Sequence, residues 1–297
     1  MSPCAPRVTF KNIPTNQSSV RTVAAALREA AALLADTSDT ARLDAELLMA
    51  HALGATRGEL LLRRQNAPEP ESFRDLVDRR CRHEPVAYIL GEQEFFGLSF
   101  HVSPAVLIPR ADSETLVEAA LAARPGARTV LDCGTGSGAL LLAVLANLPD
   151  AGGVGIDRSE DALVVASTNA RDLGLAARAS MRMADWTKHG WTADLAGLFD
   201  LILANPPYVE DAAALAPSVR GFEPGSALFA GPDGLDDYRL LLPQLPGLLA
   251  AGGAVLVEIG STQAGPVSDI AAGLGFAARL HRDLGSRPRV LELSREG

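Results

Sequence analysis

The sequence is short of cysteine. Cys4, Cys81 and Cys133 are odd in number and far apart. They suggest no disulfide framework and no zinc spacing, which suits a reducing compartment. Positive charge is also in deficit: 27 Lys and Arg stand against 36 Asp and Glu, a net charge of −9. A broad, nonspecific grip on nucleic-acid phosphates is therefore not expected, although a local basic patch stays possible. No apolar run is long enough to span a bilayer, and the N-terminus lacks a basic region followed by an apolar stretch. No membrane partner is expected, and the cytoplasm is the expected location. The histidines form no ligand cluster, so no metal site is expected. Internal repeats and low-complexity segments are missing as well.

What remains is ordinary for a globular chain. Of 297 residues, 47% are hydrophobic and 21% charged, enough to bury a sizeable core in one large domain or two smaller ones. Residues 1–18 are polar, proline-bearing and aperiodic, and are expected to be loosely ordered. Residues 19–83 carry helical spacing. Ala24, Ala25, Leu27, Ala31 and Leu34 mark a first helix, and Asp39 is placed to cap a second that Gly54 ends. Thr56 and Glu59 form a capping-box pattern for a third. Pro68 and Pro70 precede a fourth over about Glu71 to Cys81. Residues 84–108 change character. Aromatic and β-branched residues gather around Gly91 and Gly97, which predicts a β-hairpin connector with Phe95, Phe96 and Phe100 in its core.

From residue 109 to 297 strands and helices alternate. Strands are expected at Thr129–Asp132, Gly153–Asp157, Ser180–Ala184, Asp200–Ala204, Ala254–Ile259, Ala277–Asp283 and Val290–Leu293. Helices are expected at Ser137–Asn147, Glu160–Leu173 and Leu235–Leu249. The alternation predicts an α/β fold with a doubly wound, mostly parallel sheet.

Four short motifs fall at the ends of successive strands. VLDCGTGSGALLL (130–142) is a strand, a glycine-rich turn and a helix start. Gly134, Gly136 and Gly138 let the backbone pass close under a ligand, and the helix N-terminus offers unpaired N–H groups. With Ala139 the run also fits the G-x-G-x-x-A form of a dinucleotide site. Asp157 ends the next strand, 19 residues beyond Gly138. Its carboxylate can accept from both hydroxyls of a ribose, or can cap the following helix. Both hold if Ser159 does the capping. Asp185 and Trp186 end the third strand and can frame an adenine, polar contact on the amine and apolar contact on the ring.

LILANPPYVE (201–210) ends the fourth. Leu201–Ala204 read as a buried strand that Pro206 and Pro207 cannot continue, since each lacks a backbone donor and fixes φ. Asn205 therefore stands at the strand tip beside free carbonyls and the ring of Tyr208. Taken alone, the set also fits a plain strand-ending turn, since Asn-Pro is a common turn dipeptide.

Together these motifs resemble class I S-adenosylmethionine-dependent methyltransferases, whose sheet is Rossmann-like and seven-stranded. Asn205-Pro206-Pro207-Tyr208 resembles the signature of those that methylate a planar nitrogen, of adenine, cytosine or a glutamine amide, a signature for which a nicotinamide enzyme has no use. An amide nitrogen shares its lone pair with its carbonyl and is a poor nucleophile; by this resemblance the Asn205 side-chain oxygen and the Pro206 carbonyl each take one of its N–H groups and orient it, with Tyr208 as an apolar face. YILGEQEFFGLSF, VLIPRADSETLVE and the final DLGSRPRVLEL narrow the resemblance to the HemK/PrmC family, the peptide chain release factor glutamine N-methyltransferases. It runs from about residue 20 to the C-terminus.

The resemblance implies a small helical domain, a hairpin and a methyltransferase domain. It implies S-adenosylmethionine as cofactor and the glutamine of the Gly-Gly-Gln loop of class 1 release factors as substrate. Cofactor contacts are implied at Asp132, Gly134, Thr135, Gly136, Ser137, Gly138, Asp157, Asp185, Trp186 and Asn205. Substrate contacts are implied at Asn205, Pro206, Pro207 and Tyr208, with Asn205, Pro206 and Tyr208 the catalytic set. A monomer with no stable nucleic-acid complex is expected. Glutamine methylation of a ribosomal protein and amino-methylation of nucleic acid are the alternatives. One departure stands out: Arg110-Ala111-Asp112-Ser113-Glu114 replaces the family's common Arg-Pro-Glu-Thr-Glu, with a shortened acid and a lost proline.

Overall fold

The computed structural model describes residues 21–195 and 197–295. The loosely ordered stretch expected at residues 1–18, and Cys4 within it, lie outside those residues. The chain divides into two compact units, with the division between Val86 and Ala87.

Among the described residues the first unit carries four helices: α1 (Val23–Leu34), α2 (Ala41–Ala52), α3 (Arg57–Arg63) and α4 (Phe73–Cys81). Val23, Leu27, Leu34, Leu48, Met49, Leu60 and Phe73 fill its interior. Thr56 and Glu59 form the expected capping box at the start of α3. The cap expected from Asp39 does not occur. Thr40 stands at the N-cap of α2, and no side chain caps the helix. Thr40 instead donates its hydroxyl to Asp44 at 2.8 Å. Asp44 also accepts from Ser38 at 2.7 Å and from Arg80 of α4 at 2.7 Å. This acid is buried, and its three donors compensate the burial.

The second unit opens within a short helix, α5 (Val86–Leu90), and continues into a hairpin of β1 (Glu92–Phe95) and β2 (Leu98–His101). The turn between the strands is Phe96-Gly97, both with positive φ, the geometry that matches strand twist in a two-residue hairpin. Phe95 and Phe100 are buried, and Phe96 packs partly buried against the same core.

The remaining strands are β3 (Thr129–Cys133), β4 (Gly152–Asp157), β5 (Ala179–Met183), β6 (Phe199–Ala204), β7 (Leu249–Glu258), β8 (Ala277–Arg282) and β9 (Pro288–Ser294). They form one seven-stranded sheet in the order β5-β4-β3-β6-β7-β9-β8. Pairing is parallel from β5 to β7, and β9 runs antiparallel to both its neighbours. The class expected from sequence is therefore present. Strand order reverses between β3 and β6, so their carboxyl ends open a crevice.

Helices α6 (Glu114–Ala123), α7 (Ala139–Asn147), α8 (Glu160–Asp172), α9 (Pro217–Phe222), α10 (Asp236–Leu241) and α11 (Ala264–Gly273) complete the unit. Side chains of β6 alternate between two cores, as the pleat requires. Leu201 and Leu203 join the core that holds α6 and α7. Ile202 and Ala204 join the core that holds α10 and α11.

The helix expected over Leu235–Leu249 is a correction. α10 stops at Leu241, a 3-10 stretch follows over Leu242–Gly247, and β7 starts at Leu249. Pro243 lacks the N–H an α-helix would use, and Pro246 lies inside the same stretch. β7 also begins five residues earlier than Ala254, because a register irregularity opposite Phe199 and Leu201 admits the extra segment.

Candidate active site

The glycine loop begins where β3 ends. The amides of Gly134 and Thr135 both donate to the carbonyl of Ile156 in β4, at 2.9 and 2.8 Å. Gly134, Gly136 and Gly138 all take positive φ, which only glycine adopts without strain. At Gly134 a Cβ would stand 3.1 Å from the Trp186 ring, so the loop lies directly beside that indole. Gly138 does a different job. A Cβ there would press on Leu142 and on Ala166 of α8, so this glycine brings α7 and α8 together.

A cavity of about 260 Å³ lies over the loop. Of the residues implied as cofactor or substrate contacts, Gly134, Thr135, Gly136, Ser137, Asp157, Trp186, Asn205 and Pro207 line it. Asp132, Gly138, Asp185, Pro206 and Tyr208 are not on its wall. The remaining wall includes Arg110, Ser113 and Pro224.

Asp157 carries two functions at once. Its Oδ2 accepts from the Gly136 amide at 3.0 Å and its Oδ1 from the Ser159 amide at 2.9 Å. Ser159 is the N-cap of α8 and accepts from Ala162. The carboxylate is thus fixed by backbone donors while Ser159 caps the helix, leaving its remaining lone pairs for the cavity it lines.

Asp132 lies beneath the loop, 1% exposed. It accepts from the Thr135 hydroxyl at 2.7 Å. Burial pushes its carboxyl up to about 7, partly opposed by that hydroxyl. It supports the loop from below rather than touching the cavity.

At the third strand end the indole N–H of Trp186 donates to Asp237 at 3.0 Å, which fixes the ring. Asp185 takes the amide and hydroxyl of Thr187, at 2.9 and 2.7 Å, so it shapes its own turn.

Asn205 reaches the cavity from the tip of β6. Its side chain makes no hydrogen bond to a described residue, and no turn or loop amide donates to the Pro206 carbonyl. Tyr208 turns away from the cavity. Its hydroxyl donates to Glu258 at 3.3 Å, and burial followed by the charge of Glu258 pushes the phenol up. Glu258 is itself buried, and burial raises its carboxyl. Beyond Tyr208 the chain bridges in parallel between Val209 and Phe229.

The segment that departs from the family pattern is bonded on both sides. Arg110 pairs with buried Glu223, which also accepts from the Ile108 amide at 3.2 Å. Asp112 reaches Arg289 at 2.8 Å despite its shorter side chain, and Glu114 accepts from the Phe96 amide at 2.9 Å. Among the described residues no group of three or more His, Cys, Asp or Glu is arranged to hold a metal ion.

The sequence reading missed Asp237, Glu258, Gln263, Gly155 and Asn169. Asn169 is buried and bonds the backbone of His101 in the hairpin and of Ser137 in the glycine loop. No local pattern marks any of these, because each acts on a partner far along the chain.

The chain matches known proteins along most of its length. Residues 25–91 match the PrmC N-terminal domain, and residues 126–241 match a methyltransferase domain. A release factor glutamine methyltransferase of Rhodospirillum rubrum is 44% identical over 84% of this chain and 78% of its own length. The chain belongs to the release factor glutamine methyltransferase family. It is a methyltransferase, and its methyl donor is S-adenosylmethionine. A second member of the family, from Moorella thermoacetica, is 46% identical over 79% of this chain and 83% of its own. A solved structure of a release factor-specific protein-(glutamine-N5) methyltransferase from Alicyclobacillus acidocaldarius is 27% identical. The match covers 67% of this chain and all of that one, with a TM-score of 0.41.

Proposed function

We propose that this family member transfers a methyl group from S-adenosylmethionine to the side-chain amide of the glutamine in the Gly-Gly-Gln loop of class 1 release factors. The observation that carries the reading is the tip of β6. Asn205 lies on the cavity wall with Gly134, Asp157 and Trp186, and no described residue uses its side-chain amide.

The cofactor fits the residues present. A Cβ at Gly134 would crowd the Trp186 ring at 3.1 Å, and its positive φ favours glycine, which leaves bare backbone for a ligand to pass close to. The Asp157 carboxylate is held by two backbone amides and can receive ribose hydroxyls. The Trp186 ring, fixed by Asp237, offers an apolar face to an adenine. Bound there, the cofactor supplies an electrophilic methyl on a sulfonium.

The protein's own part is orientation. The Asn205 side-chain oxygen and the Pro206 carbonyl each accept one N–H of the substrate amide and set the nitrogen's direction. Good alignment of this kind is worth roughly 7–11 kcal/mol of barrier. No strong base is needed, because the nitrogen becomes acidic once methylated and releases its proton to water. Tyr208 contributes through its place in the turn, its hydroxyl held by Glu258.

The reading has the enzyme working as a monomer in the cytoplasm, on a protein rather than a nucleic acid. The net charge of −9 supports the last point. Among the described residues no helix is long and apolar enough to cross a membrane. The test is transfer of labelled methyl to a purified release factor, beside the same factor with its Gly-Gly-Gln glutamine changed to alanine. Label on the first and none on the second is expected. Equal labelling of both would refute the substrate assignment.

A further inference from the structure

Besides the Glu258 contact to the Tyr208 hydroxyl, a second side chain holds the backbone of the loop that carries Asn205. Gln263, 8% exposed, stands just before α11. Its Nε2 donates to the Tyr208 carbonyl at 3.0 Å and to the Gly234 carbonyl at 3.1 Å. Its Oε1 accepts from the Gly260 amide at 2.9 Å. The amide is therefore fully oriented: only a group with a donor end and an acceptor end satisfies all three partners.

The surrounding backbone is built to this fit. A Cβ on Gly234 would fall 2.4 Å from the Tyr208 carbonyl oxygen and 2.8 Å from Gln263 Nε2. A Cβ on Gly260 would fall 2.9 Å from Gln263 Oε1. Two glycines thus leave the room in which one glutamine ties the Asn-Pro-Pro-Tyr turn to the end of β7.

We propose that Gln263 is a positioning residue for methyl transfer, fixing the Asn205–Tyr208 turn so that its acceptors meet the target amide in one orientation. The proposal rests on the reading of Asn205 and Pro206 given above. Gln263 does not line the cavity, so it acts on the turn and not on the cofactor. Two other readings of the residue are weaker. A plain helix cap is not what Gln263 provides, because it stands at the N-cap of α11 without a side-chain cap bond, and a plain packing role would need no donor at all.

The test uses the full chain with Gln263→Glu and Gln263→Met. The glutamate keeps shape and the Gly260 bond but sets a carboxylate against two carbonyls. The methionine keeps volume and loses all three bonds. With release factor as substrate, kcat is expected to fall about 100-fold, the scale of a roughly 1 Å misplacement. KM for the release factor and the dissociation constant for S-adenosylmethionine are expected to change less than about threefold, since neither variant removes a cavity-lining group. Hydrogen exchange read on the peptide over residues 205–210 needs no substrate. Its slowest amides are expected to exchange at least about tenfold faster in both variants. Wild-type exchange in Gln263→Glu overturns the proposal, whatever the substrate is found to be. So does wild-type kcat in a variant whose exchange has risen. Failure of the wild-type enzyme to methylate a release factor, with exchange raised as expected, would instead overturn the substrate reading and leave the clamp standing.

Discussion

Gly155, in the middle of β4, offers a sharp test of how the glycine loop is supported. A Cβ at this position would stand 2.7 Å from the Thr135 hydroxyl and 2.8 Å from the Met181 sulfur. Met181 can swing away. Thr135 cannot do so freely, because its hydroxyl donates to Asp132 at 2.7 Å and its amide donates to Ile156 at 2.8 Å. To regain an ordinary contact of 3.4 Å the hydroxyl must retreat by at least 0.7 Å. That stretches the bond to Asp132, whose other oxygen already has no partner. Overpacking costs about 1–3 kcal/mol, and leaving a buried acceptor unsatisfied costs about 1–3 kcal/mol more. Replacing glycine in a strand interior returns roughly 0.5–1 kcal/mol. The net expectation for Gly155→Ala is a loss of about 1–5 kcal/mol, or roughly 2–20 °C in Tm for a unit of this size. The same displacement moves Thr135 and Gly134 on the cavity wall, so S-adenosylmethionine is expected to bind at least about tenfold more weakly, a change of about 1.4 kcal/mol. Thermal unfolding and calorimetric titration read the two effects. An unchanged Tm together with unchanged affinity would refute the argument that this glycine makes room for the loop.

Two further outcomes follow from buried groups. Burial raises Asp132 from an ordinary 3.8 to about 7. Between those values the folded chain holds a proton that the unfolded chain has lost, so this group's contribution falls as pH rises through the window. Urea unfolding at about pH 5 and about pH 8 is expected to show a smaller drop for Asp132→Asn than for wild type, and equal drops would contradict the assignment. In the first unit, Asp44→Ala leaves Arg80 buried without its acid. A loss of about 3–5 kcal/mol is expected, read by denaturant unfolding. A cost below about 1 kcal/mol, typical of an exposed pair, would show that solvent reaches Arg80.

Much of this architecture was legible because it is local. The run Leu201–Ala204 alternates between two cores and ends where Pro206 forbids pairing, and both facts are written in six residues. The Thr56–Glu59 box, the Phe96-Gly97 turn and the glycine loop are equally short-range. Where the structure departs from the local pattern, a competing local effect prevails. Pro243 and Pro246 cut the helix expected over Leu235–Leu249, and Thr40 displaced Asp39 from the N-cap by turning to Asp44.

What the sequence hid are long-range partners. Gln263 lies 55 positions from Tyr208 and Asp237 lies 51 from Trp186. Their meaning depends on which strand ends the sheet brings together. Tyr208 shows the same limit: its neighbourhood in sequence suggested a face toward the substrate, while the fold hands its hydroxyl to Glu258. Gly155 reads as an ordinary strand residue until Thr135 is seen to lie against it.

The central claim is that the tip of β6 orients a glutamine amide for methylation. Its most direct test is mass spectrometry of the Gly-Gly-Gln peptide from a release factor incubated with S-adenosylmethionine and either wild-type enzyme or Asn205→Ala. The account expects one added methyl on the glutamine with wild type and little or none with the variant, although the variant still binds cofactor. A fully methylated glutamine from Asn205→Ala, or an unmodified one from cofactor-loaded wild type, would contradict it.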